Sequence, residues 1–94
     1  DGTMELVIGR GPDCDLVVDD AAVSSRHAAI RWDGAAAVIV DLGSSNGTFV
    51  GGAKLTTYAP LKNGDQLAFG RAHFIFLPAS ELYARIRRSI RLDA

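Results

Sequence analysis

Short apolar runs, each ended by turn residues, set the pattern of this chain. Met4–Ile8 reads as a strand that Gly9-Arg10-Gly11-Pro12-Asp13 breaks, and Leu16–Val18 as a shorter one stopped by Asp19-Asp20. Ala28–Trp32 alternates as a half-buried strand does, and Ala35–Val40 returns beside it. Asp33-Gly34 between them predicts a two-residue type I′ turn, which needs positive φ at both central positions. Phe49-Val50 and Lys54-Leu55 flank Gly51-Gly52 as a second tight hairpin. After Leu61 and the turn Asn63-Gly64-Asp65, Gln66–Phe69 and His73–Leu77 form the last pair, bent at Gly70. Many short strands at this spacing predict an all-β sandwich over residues 1–78. Pro78 stops the sheet, and Ser80 is placed to cap a helix. Leu82, Tyr83, Ile86 and Ile90 recur at helical spacing, so residues 79–94 read as a C-terminal amphipathic helical tail, or a link to a larger protein.

Ninety-four residues make one domain. A chain this size buries somewhat more than ~60% of its unfolded surface, enough for a core but not for a deep lidded cleft. The net charge of −1 argues against a generally basic nucleic-acid binder. In Ser80–Ala94 four arginines against Glu81 and Asp93 give +2, which leaves −3 for the rest of a chain whose total is −1. The single cysteine, Cys14, excludes an intramolecular disulfide and a cysteine-based zinc site. Two histidines without a carboxylate cluster make no metal centre, and no cofactor motif is present. No apolar run approaches the ~18 residues of a membrane span, and no signal-peptide pattern opens the chain. The expectation is a cytoplasmic domain without a membrane role; the abrupt start at Asp1 reads as the boundary of a piece of a larger protein.

The polar loop Asp41-Leu42-Gly43-Ser44-Ser45-Asn46-Gly47-Thr48 carries the most chemistry. Two hydroxyls, a carboxamide and a threonine stand around two glycines, as short hydrogen-bonding arms on a backbone free to bend sharply. Upstream, Arg10 follows Gly9 at a strand-to-loop corner, and its planar, permanently charged donors suit phosphate oxygens. Ser24-Ser25-Arg26-His27 precedes the strand Ala28–Trp32. Taken singly, each has a plain reading: a surface arginine paired to a carboxylate, or serines in ordinary turns. Together they describe a surface for holding an anion. A hydrolase does not fit, because no G-x-S-x-G elbow is present and His27 lies only three residues from Ser24. Asn46-Gly47-Thr48 matches a glycosylation sequon, but nothing else marks a secreted chain.

In this order the pieces resemble the forkhead-associated (FHA) domain. Its pattern of Gly-Arg, Ser-x-x-His, Ser/Thr-Asn-Gly-Thr, Leu-x-x-Gly-Asp and a glycine before the last strand is matched by Gly9-Arg10, Ser24–His27, Ser44–Thr48, Leu61–Asp65 and Gly70. The resemblance covers Ile8 to Leu77 and implies an FHA-like β-sandwich of short antiparallel and mixed strands. It implies a non-catalytic signalling module that recognises phosphothreonine in a partner protein or peptide through loops at one end. By position, Arg10, Ser24 and Ser45 would hold the phosphate, Ser25 and Asn46 the peptide, while Gly9, His27 and Thr48, with Gly64, Asp65 and Gly70, would be structural. Ser25 stands where the family often has Arg or Asn, and Gly51 where it usually has Asn. Those departures keep a second expectation in view, a phosphate-independent assembly or intramolecular regulatory domain of the same fold. The family's first strand pairs with its last. Only eight residues precede Gly9, so the resemblance also implies an open edge on His73–Leu77, through which, or through the tail, the chain can self-associate.

Overall fold

The computed structural model describes residues 3–77, and the tail proposed over residues 79–94 lies outside them. Among the described residues the alternating runs form nine strands: β1 (Met4–Gly9), β2 (Leu16–Val17), β3 (Ala28–Trp32), β4 (Ala37–Asp41), β5 (Thr48–Val50), β6 (Ala53–Lys54), β7 (Tyr58–Leu61), β8 (Gln66–Phe69) and β9 (Ala72–Ile75). They make a five-stranded sheet in the order β2-β1-β3-β4-β7 and a four-stranded sheet in the order β6-β5-β8-β9. The β1–β2 pair is parallel and the others are antiparallel. The short all-β sandwich predicted from the alternation is therefore present.

The core lies between the sheets, where Ile8, Ala28, Ile39 and Leu61 of the first meet Leu67 and Phe69 of the second. Phe69 is the largest fully buried side chain among the described residues. Its ring meets His27 edge-on at 5.7 Å and Phe74 at 5.8 Å. Burying an aromatic of this size contributes a large share of a small core.

Two local expectations need correction. Asp33-Gly34 is not a two-residue turn, because Trp32 pairs with Ala37 across the loop Asp33–Ala36. Gly34 has φ 94°, whereas among the described residues no non-glycine residue has positive φ. Asp33 instead takes the N–H groups of Ala35 and Ala36 on its carboxylate, both at 2.8 Å, and this Asx arrangement lengthens the loop. Second, Tyr58–Leu61 was not foreseen as a strand. Pro60 argues against a central strand, and β7 takes the edge position that proline tolerates. By contrast Gly51 and Gly52, with φ 59° and 84°, close the β5–β6 hairpin in two residues, as type I′ geometry demands.

Strand register fixes where the loops meet. Ile8 near the end of β1 faces Ala28 at the start of β3, and Ala28 faces Asp41 at the end of β4. The segments after β1, before β3 and after β4 therefore leave the sheet side by side. Replacing Phe69 by Ala should cost ~3–5 kcal/mol, read as a lowered midpoint in urea. Tyr58→Ala, at a residue 64% exposed, should leave that midpoint within ~0.5 kcal/mol of the parent.

Candidate functional site

The rim is tied together mainly by backbone. The Arg10 N–H donates to the Ser24 carbonyl at 2.9 Å, and the Gly11 N–H to the Ser25 carbonyl at 3.0 Å. The Cys14 thiol donates to the same Ser25 carbonyl at 3.0 Å. Gly9 permits this approach, because a Cβ there would stand 2.3 Å from the Ser25 oxygen. Thus the Arg10 corner and the Ser24–His27 segment are stitched into one surface.

His27 joins that surface to the third loop. Its ring is fully buried. Nδ1 lies 3.0 Å from the Ser24 nitrogen and Nε2 lies 2.8 Å from the Gly47 carbonyl. An amide N–H can only donate, so Nδ1 accepts and Nε2 carries the proton that goes to Gly47. Ser24 adds a second link: its Oγ accepts the Ser45 N–H at 3.0 Å. The Asn46 amide nitrogen donates to the Ala22 carbonyl at 2.8 Å, so one arm of Asn46 already secures the neighbouring loop.

Asp41 shapes the third loop from within, a role that sequence reading did not assign. One carboxylate oxygen accepts the N–H groups of Gly43 and Ser44, each at 3.1 Å. The other accepts the Ser44 hydroxyl at 2.6 Å and the hydroxyl of buried Thr48 at 2.7 Å. Ser44 Oγ in turn accepts the Gly47 N–H at 2.9 Å. The available signal was an Asp followed two and three residues later by Gly and Ser, the spacing at which a carboxylate caps a turn. Burial alone would push the Asp41 carboxyl up. The hydrogen bonds from Ser44 and Thr48, with the Gly43 N–H, outweigh it and hold the group below its ordinary 3.8.

What remains unspent is informative. The Arg10 side chain has no ion-pair partner among the described residues, where the ion pair is Arg31 with Glu5 at 2.9 Å. Ser24 Oγ accepts a bond but its proton has no acceptor there, and the hydroxyl of exposed Ser45 has no partner there either. Arg10 and Ser45 are both bonded to Ser24, so three uncommitted donors share one rim. Ser25 is exposed beside them. Gly51 sits at the β5–β6 turn with open space around it. Among the described residues no group of three or more His, Cys, Asp and Glu is placed to hold a metal.

A two-sheet sandwich with three laced loops at one end is the architecture of a loop-based recognition domain. The FHA domain model matches residues 6–70, and the chain belongs to that family. It is 44% identical to the glycogen accumulation regulator GarA of Mycolicibacterium smegmatis, over 73% of this chain and 43% of that protein. It is 41% identical to an oxoglutarate dehydrogenase inhibitor of Corynebacterium jeikeium, over 78% of this chain and 50% of that one. The chain thus spans about half the length of these curated relatives. A solved FHA structure from work on phosphothreonine-dependent FHA domain interactions superposes with a TM-score of 0.73 at 41% identity, covering 76% of this chain and 73% of its own.

Replacing His27 by Ala strands the Ser24 N–H and the Gly47 carbonyl. At ~1–3 kcal/mol per orphaned buried group, plus lost packing, the domain should lose about 3 kcal/mol or more in urea unfolding. For Asp41 the lowered folded value fixes the sign. Its contribution is complete above about pH 4 and is lost as pH falls through the lowered value. Asp41→Asn should therefore flatten the acid limb of a stability-versus-pH curve below about pH 4.

Proposed function

We propose that this domain is a non-catalytic, phosphothreonine-dependent recognition module acting in cytoplasmic signalling. Arg10, Ser24 and Ser45 hold the phosphate, with Ser25 and Asn46 against the peptide. FHA domains bind phosphothreonine peptides. The regulator and inhibitor names of the relatives favour recognition over catalysis, and they describe proteins of which the match covers 43% and 50%. Among the described residues no helix is long and apolar enough to cross a membrane. The observation that carries the reading is the set of three uncommitted donors linked through Ser24.

The energetics suit such a ligand. A phosphate brings about −1.5 to −2 charges and three strong acceptors. Each hydrogen bond to a charged group contributes ~1.5–3 kcal/mol, and micromolar affinity requires about −8 kcal/mol. One arginine and two hydroxyls account for much of this, and peptide contacts supply the remainder after the entropy of binding is met.

Titration with a phosphothreonine peptide library and matched unphosphorylated peptides tests the assignment. The domain should bind phosphorylated members at roughly micromolar Kd and the matched peptides negligibly. Ser24→Ala or Ser45→Ala should weaken binding by roughly ten- to a hundredfold, and Arg10→Ala should abolish it. Partner capture that survives Arg10→Ala and needs no phosphate would replace this reading with a phosphate-independent assembly role.

A further inference from the structure

Lys54 brings a second cation to the rim, and it comes from the other sheet. It lies in β6, opposite Phe49 of β5. Its side chain crosses to Gly47, the residue before β5, where the third loop ends. A Cβ on Gly47 would stand 2.7 Å from Lys54 Cε and 3.4 Å from its Cδ and Cγ. The missing side chain of Gly47 is therefore the space that the lysine stem fills. Gly47 is itself held on both sides. Its N–H donates to Ser44 Oγ at 2.9 Å, and its carbonyl lies 2.8 Å from His27 Nε2. The stem thus rests on a floor that the His27 bridge and the Asp41 loop keep fixed.

The charge at the end of that stem is unspent. Lys54 is exposed and has no ion-pair or hydrogen-bond partner among the described residues. Asp41, the carboxylate of the adjacent loop, is occupied by four hydrogen bonds. A lysine that lays its methylenes on the protein and keeps its ammonium in water is common. Its place gives this one a use. Arg10 reaches Ser45 through Ser24, and Lys54 lies on Gly47, so the two cations stand at opposite ends of Ser45-Asn46-Gly47. Ser45 and Asn46 are exposed between them. Two residues of chain span at most about 7 Å, and an extended peptide advances ~3.3 Å per residue. We propose that Lys54 is a specificity-determining residue of this rim and selects peptides with an aspartate or glutamate roughly two to four residues from the phosphothreonine. This inference rests on the phosphothreonine reading above and adds the chemical class of the peptide. Because the stem is already packed on Gly47, little side-chain freedom is lost when the acidic group arrives.

The test is a set of phosphothreonine peptides in which aspartate replaces alanine at each of the four positions on either side, titrated into chain 1–94 at low salt. One position two to four residues from the phosphothreonine should bind roughly two- to fivefold tighter with aspartate than with alanine. Lys54→Gln should bring that ratio to about one, Lys54→Glu should turn the preference to lysine, and Lys54→Arg should keep the ratio. Lys62→Gln removes the same charge at the far end of the sandwich, beside the Leu61–Ala37 pair, and should leave the ratio as in the parent. Exposed Arg26, in the second loop, is the competing source of charge. A ratio that survives Lys54→Gln, or that is lost in Arg26→Gln instead, would overturn the proposal. Phosphate-dependent binding with no acidic preference at any position would overturn it while leaving the phosphothreonine reading intact. Failure of every phosphothreonine peptide to bind the parent chain would remove that reading, and this inference with it.

Discussion

The buried imidazole of His27 is the constraint on which the rim depends. One ring nitrogen receives the Ser24 N–H and the other reaches the Gly47 carbonyl. These two loops belong to opposite sheets: Ser24 leads into β3, and Gly47 leads into β5. Without a rigid polar bridge between them, the edge of the sandwich would present two independently moving segments. The ring also rests edge-on against Phe69, so the same side chain couples the rim to the centre of the core. A buried polar group is costly unless both ends are satisfied, and here both are.

Pre-organisation follows from that bridge and from Asp41. The third loop is braced by four hydrogen bonds to one carboxylate, two from backbone N–H groups and two from hydroxyls. Gly9 lets the first two loops approach within a distance that any Cβ would forbid. Loops fixed in this way lose little freedom when a ligand arrives, so a shallow site with few contacts retains useful affinity. His27, Asp41 and Thr48 are thus engaged with the protein, while Arg10 and the hydroxyl protons of Ser24 and Ser45 stay uncommitted among the described residues.

Much of the fold was legible because strand alternation and paired glycines are local signals. Ala28–Trp32, Gln66–Phe69 and the Gly51-Gly52 hairpin follow from them directly. β7 was hidden by Pro60, since edge position is a property of the whole sheet and not of four residues. The Asp33-Gly34 turn misled because Asp33 satisfies two N–H groups with its carboxylate instead of adopting positive φ. For the site, the motif residues could be named from the sequence, but not how they are held. The role of Asp41 depends on Thr48 and Ser44 converging on one carboxylate, and the role of Cys14 on the path of the Ser25 carbonyl. Those are facts of three-dimensional convergence that no spacing rule contains.

A crystal structure of the domain with a bound phosphothreonine peptide tests the central claim most directly. The account predicts phosphate oxygens within hydrogen-bond distance, about 2.7–3.2 Å, of the Arg10 guanidinium and the Ser24 and Ser45 hydroxyls, with the His27 bridge unchanged. A phosphate seated elsewhere, or a rim that must break the His27 bridge to admit it, would contradict the account.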